Sequence, residues 1–355
     1  MKAAVIGLQA SGKSVLVSAV SGKAAVMTGS PDIHEVIVPV PDGRLDWLTE
    51  LYKPQKTVMA TIDCLDVPGL SFLDDHGRAA AARLLGQVRT ADMLVLVVRA
   101  FENPSVPAYR NRISPAKDLE ELKTELLLAD LALVSTRIER LEKQANKPVK
   151  TQAKDKAELA LQLKLQAAIE AEKPIRGVIG SDDEMEMIKS LGLLTLKPLM
   201  VVVNTGENQL DAPVTLGDAA NGLETVCLCA KIESELAQLD PASRRDFMKD
   251  LGIEESAAAK FVHSCYKTLG LISFLTVGKD EVRAWSIRAD TIALDAAGKV
   301  HSDIKRGFIR AETMAYNDLF RLGDEKAVKA AGKMRLEGKQ YIVKDGDIIN
   351  FRFNV

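Results

Sequence analysis

The chain has 355 residues, too many for one ordinary hydrophobic core, so two or three domains are expected. Its composition, 47% hydrophobic and 27% charged, is that of a folded globular protein, and a net charge of −2 argues against a wholly basic nucleic-acid binder. No apolar run approaches the roughly 18 residues of a membrane span. The short N-terminal run leads into a glycine loop rather than a signal peptide, so a cytoplasmic protein with reduced cysteines is expected.

Residues 3–6 read as a strand, 7–14 as a loop and 15–20 as a helix; 36–40 and 58–65 read as strands, and 93–98 as a continuous buried one. Strands rich in Val, Ile and Leu on both parities fit a parallel sheet covered on both faces, an α/β pattern. The stretch 77–84 carries four alanines, which favour helix. Between 117 and 143 there is no glycine or proline, and Leu127, Leu131, Val134, Ile138 and Leu141 recur at spacings of four and three. That is a heptad seam on a long helix. A polar stretch, 144–156, reads as a turn, and a second helical run covers 157–172, so the two form an antiparallel hairpin.

The α/β pattern resumes with strands at 199–203 and 226–229, followed by helices at 241–251 and 254–269. The hairpin, 115–195, is therefore expected as an insertion into a domain built from 1–114 and 196–270. Short strands at 273–277, 283–287, 340–343 and 348–353 alternate with turns and mark a small α+β domain over 271–355.

The run from Gly7 through Gln9, Ala10, Ser11 and Gly12 to Lys13 and Ser14 matches G-x-x-x-x-G-K-[ST], with a strand before it and a helix, from Val15, after it. Glycines allow the close backbone approach, and loop amides with the helix N-terminus favour phosphate. Lys13 is expected on the β and γ phosphates and the Ser14 hydroxyl on Mg²⁺. Asp66, ending an apolar strand before Pro68-Gly69, is placed to hold Mg²⁺ through water, with the Gly69 amide toward the γ-phosphate. The strand that ends in Asn204-Thr205-Gly206-Glu207 sits where a GTPase carries N-K-x-D. Glutamate in place of aspartate disfavours guanine.

These motifs, with Val38 to Asp42, Val98 to Asn103, Cys229-Ala230-Lys231, Gly307 to Glu312, Arg335 to Lys339 and the run to Val355, give the chain a resemblance to the YchF, or Obg-like ATPase, family. The resemblance covers nearly the whole chain. It implies a P-loop G domain, an inserted helical hairpin and a C-terminal TGS domain of ubiquitin-like β-grasp fold. It also implies ATP preference from the N-x-x-E form, with GTP as the alternative, and a switch that associates with the ribosome or RNA through the TGS domain and hairpin. Leu70 fits the hydrophobic residue that replaces a catalytic glutamine in the family, and Phe101 fits a segment near the base. Cys229, Ala230 and Lys231 match its fifth nucleotide motif.

The chain departs from the family in three places. The alanines of 79–82 stand where the family has mobile glycines. A histidine suspected of orienting water falls at about Ala108, with His76 as a substitute from the switch. The segment 28–35 is shorter and lacks the Mg²⁺-ligating threonine in clear register, leaving Thr28 or Ser30 for that role. A slow ATPase is therefore expected, with a pseudo-NTPase scaffold or a GTP-specific switch as alternatives. Lys279, Arg283, Arg288, Lys305, Arg306 and Arg310 form candidate phosphate contacts in the last domain. A monomer without sequence-specific DNA binding is expected. Cys227 and Cys229 form a C-x-C with no second pair at zinc-ligand spacing and read as small buried hydrophobes on a strand; Cys64 and Cys265 are the other two cysteines.

Overall fold

A computed structural model of the chain describes residues 1–22, 31–145, 152–209, 214–250, 252 and 255–354. Thr28 and Ser30 lie outside the described residues. The strands are β1 (Lys2–Gly7), β2 (His34–Pro39), β3 (Lys56–Val58), β4 (Thr61–Asp66), β5 (Met93–Arg99), β6 (Leu199–Asn204), β7 (Glu224–Leu228), β8 (Leu271–Thr276), β9 (Glu281–Arg288), β10 (Phe308–Ala315), β11 (Arg335–Glu337) and β12 (Asp347–Phe353). They form two compact units, Met1–Val36 with Asp63–Ala258, and Ile37–Ile62 with Ala259–Val355.

The first sheet has the order β2-β4-β1-β5-β6-β7. Pairing from β4 through β7 is parallel throughout. Every residue of the central β5 is buried, because its apolar run is covered on both faces. Ile6, Leu96 and Val203 share one core with Leu84 and Leu85 of helix Asp75–Gln87 and with Leu119, Leu122 and Leu126 of the first long helix. The alanine stretch is helical, as expected, and its N-cap Asp74 accepts from the Gly77 amide at 2.7 Å.

The hairpin consists of helices Pro115–Ala145 and Gln152–Glu170. Val134 and Ile138 pack with Leu161, Leu165 and Ile169, and Leu127 and Leu131 lie against them, so the heptad seam is the buried face. At its base Asp130 is fully buried. Its carboxylate accepts from Arg89 at 2.6 Å, Leu194 N at 3.0 Å and Thr195 N at 2.8 Å. A buried charge is tolerated because each oxygen is matched by donors.

The second sheet has the order β11-β10-β12-β8-β9-β3. β8 and β9 form an antiparallel hairpin, β12 returns parallel to β8, and helix Ala293–Val300 covers a core of Phe274, Ile287, Phe308 and Phe351. This is a β-grasp arrangement. Residues 37–62 pack here: β3 pairs in parallel with β9, and Arg44 bridges Asp42 and Asp345, each at 2.8 Å. Trp47 meets Phe320 edge-on, with ring centroids 5.0 Å apart.

Two sequence expectations are corrected. The apolar run 58–65 is not one strand: β3 ends at Val58 and joins the second sheet, and β4 begins at Thr61 and joins the first. Residues 340–343 make only an isolated bridge, Ile292 to Ile342, because the side chains of Tyr341 and Val343 are spent on the core and on Asp347. The edge strand is the more polar β11.

Candidate nucleotide-binding site

The loop between β1 and helix Lys13–Ser21 is shaped by two glycines and one strained residue. A Cβ on Gly7 would lie 2.6 Å from Ser11 Oγ and 2.7 Å from the Val97 carbonyl. Gly12 has φ of 82°, and Ala10 adopts φ of 61° without glycine's freedom. The loop is then tied to its neighbours through the main chain. Gln9 N donates to Leu70 O at 2.9 Å, and Leu70 N donates to Gly7 O at 3.0 Å, which brings Gly69 against Gln9.

Two side chains hold the loop from the other side. Asn204, 3% exposed at the end of β6, donates from Nδ2 to Ser11 O at 3.0 Å and accepts at Oδ1 from Ala230 N at 3.1 Å. One amide thus links the phosphate loop, the N-x-x-E segment and the turn after β7. Arg99, buried at the end of β5, donates to Ala10 O at 3.2 Å, Phe101 O at 3.0 Å and Val106 O at 3.0 Å. Its guanidinium stands 4.3 Å from the Phe101 ring centroid. Arg99 falls within the run Val98 to Asn103, whose sequence marks no role for it. The signal was a cation closing an otherwise apolar strand.

These elements surround a cleft of about 1580 Å³. Gln9, Ala10, Ser11, Gly12, Lys13, Ser14 and Val15 line one side, with Asp66 and Gly69 beside them. Phe101, Asn204, Thr205, Glu207, Cys229, Ala230 and Lys231 line the other. Gly7 lies beneath the loop, and Leu70 is 1% exposed in the core, so its tie to the site runs through its backbone. His76 is exposed on helix Asp75–Gln87 and does not reach the cleft. Asp32 and His34, singled out by no motif, do line it.

Lys13 is only 6% exposed, and burial pushes its pKa down while Asp66 opposes the shift. Burial pushes the Asp66 carboxyl up, against a hydrogen bond from Ser14 and the charge of Lys13. A buried lysine and a half-buried carboxylate in one polar cleft suit a ligand that brings both negative charge and a cation. Ser11 Oγ, Asp66 Oδ1 and Thr205 Oγ1 are shielded from solvent and lack hydrogen-bond partners. Orphaned atoms clustered along one cleft fit a polar ligand that would satisfy them. Among the described residues no group of three or more His, Cys, Asp or Glu could hold a metal. Mg²⁺ needs none, because it takes one or two protein ligands together with phosphates and water, and the Ser14–Asp66 pair fits that role. At the opposite end Glu207 is paired to Lys231 at 2.8 Å.

The comparisons with known proteins agree along the whole chain. Residues 271–354 match the family model YchF-GTPase_C, described as a protein of unknown function (DUF933). The chain is 39% identical over 368 residues to "Ribosome-binding ATPase YchF" of Bacillus subtilis (strain 168), covering 100% of each. It is 36% identical to "Obg-like ATPase 1" of Oryza sativa subsp. japonica, covering 100% of this chain and 92% of that one. The solved structure of the Schizosaccharomyces pombe YchF GTPase superposes with a TM-score of 0.85 at 31% identity, covering 99% of this chain and 97% of that one. With the phosphate loop, the hairpin and the β-grasp module all in place, the chain belongs to the YchF family.

Proposed function

We propose that the chain is a Mg²⁺-dependent purine-nucleotide switch that prefers ATP, hydrolyses it slowly and acts on the ribosome or translation machinery. The observation that carries the base preference is the Glu207–Lys231 pair. A guanine-reading aspartate accepts from N1–H and N2–H₂ and must be free to do so. Here the carboxylate is engaged by a lysine, and adenine, whose N1 is an acceptor, no longer faces an unpaired negative charge. Both partners are exposed, so solvent screens the pair and it contributes little to stability on its own.

At the phosphate end Lys13 would neutralise β and γ oxygens, and Ser14 with Asp66 would hold the cation. When bound, Mg²⁺ offsets charge that develops on the phosphates. The loop amides position the chain of phosphates, and the buried surroundings exclude water. The ribosomal part of the reading rests on the printed names of full-length relatives in Bacillus subtilis and Escherichia coli O157:H7. In the second unit Lys279, Arg288 and Arg310 are exposed, whereas Arg283, Lys305 and Arg306 are engaged by Glu281, Asp295 and Asp303.

A second reading is favoured by Leu70: no polar side chain follows Gly69 to position water, as expected of a nucleotide-holding scaffold. Calorimetric titration of nucleotide-free protein with Mg·ATP and, in parallel, Mg·GTP tests the preference. Comparable affinity for GTP would refute it. Turnover with and without ribosomes, together with co-sedimentation, separates the switch from the scaffold.

A further inference from the structure

The cleft holds one imidazole that no motif accounts for. His34 is the first residue of β2, and Asp66 is the last residue of β4, its neighbour in the sheet. Just beyond the other end of β2, Val40 N donates to Ala60 O, just before β4 begins, at 2.8 Å. The two strands therefore run in opposite directions, and His34 and Asp66 share the end that opens on the cleft. Both line it.

His34 Nε2 is shielded from solvent and has no hydrogen-bond partner; Asp66 Oδ1, across from it, is in the same condition. An unsatisfied buried polar atom is costly, so two on adjacent strands mark a place where something polar binds. The polar side chains lining this end are Lys13, Ser14, Asp32, His34 and Asp66. Lys13 serves the phosphate charge, Ser14 and Asp66 the cation, and Asp32, a carboxylate, repels phosphate. Among these described side chains the imidazole remains an uncommitted donor, and it sits on the strand beside the cation-holding aspartate, where the terminal phosphate of a triphosphate must end. A diphosphate, one group shorter, would stop short of it.

We propose that His34 reads the γ-phosphate, donating from Nε2–H to a terminal phosphate oxygen, and so sets the preference of the site for triphosphate over diphosphate. This rests on the reading of the cleft as a nucleotide site. It assigns the discrimination to a side chain on β2, the strand that runs on toward residues 37–39, rather than to the phosphate loop, which meets both nucleotides alike.

The test is calorimetry with Mg·AMP-PNP and with ADP on the wild-type chain, H34A and H34Q, each checked for an unchanged melting temperature. A hydrogen bond to a charged group corresponds to about a tenfold or larger loss of affinity. H34A should lose that much for AMP-PNP and change less than about twofold for ADP, which never reaches the residue. H34Q, which keeps an N–H donor near the same place, should recover part of the loss. Equal losses for both nucleotides, or none for either, would overturn the inference while leaving the nucleotide site intact. A wild-type chain that binds neither nucleotide would overturn the reading of the cleft and this inference together.

Discussion

Replacing Asn204 with alanine tests whether one buried amide sets the shape of the site. The change removes the donor to Ser11 O and the acceptor of Ala230 N, bonds of 3.0 and 3.1 Å made by a side chain 3% exposed. Each stranded backbone group costs about 1–3 kcal/mol if it finds no substitute. Water entering from the cleft would satisfy part of this, so a net loss of about 2 kcal/mol is a reasonable expectation for the ordered loop. If that loss must be made good when nucleotide binds, affinity falls roughly 30-fold. Gly12 sharpens the argument, because a Cβ there would meet Asn204 Nδ2 at 2.2 Å, so loop and amide are in direct contact. Calorimetry with Mg·ATP reads the affinity, and hydrogen exchange in 7–16 reads the loop. An affinity within threefold of wild type, with unchanged exchange, would refute the latch.

Four further outcomes follow from the structure. Lys13→Ala should abolish nucleotide binding in the same titration, since among the described residues no other lysine lines the phosphate side of the cleft; unchanged affinity would refute the assignment. Lys231→Ala should free Glu207 and shift the ratio of GTP to ATP affinity toward GTP by a few-fold, in keeping with an exposed pair. Gln162 is fully buried in the hairpin with both amide atoms unpaired, so Gln162→Leu should stabilise it by about 1–3 kcal/mol, read as slower amide exchange in 127–141 and 161–169. Burial and the nearby Asp63 and Asp66 push the Cys64 thiol up to about 12, which leaves it protonated at pH 8. Cys227, expected to be buried on its strand, lies instead on the exposed face of β7, so a thiol reagent on native protein should label it first and Cys64 only upon unfolding.

Much of the first unit is legible in the residues because its signals are local. Six consecutive apolar residues in β5 cannot lie on a surface, and apolar residues four and three apart on a helix must share a face. What escaped the sequence depends on partners far along the chain. Nothing in Val58-Met59-Ala60-Thr61 says that the chain changes sheets there, since hydrophobic pattern records burial and not identity of neighbour. Residues 341–343 have strand composition but are used as core and loop anchors. In the site, the phosphate loop and Asp66 are found by spacing. His34 is not, because a single histidine on an edge strand has no spacing to betray it, and its role shows only when its unpaired nitrogen is located.

The pairing of β3 with β9 joins Lys56 to Glu281, partners 225 residues apart. During synthesis at roughly 5–20 residues per second, the earlier strand waits on the order of 10–45 s for the later one to be made. Over that interval the short strand Lys56–Val58 has an open edge and no mate. Nascent chains of this protein are thus exposed to premature pairing and to chaperone capture at 37–62. A chain cut short before β9 would keep its phosphate loop and still carry an orphan strand, so removing the last module is no route to a clean nucleotide-binding fragment.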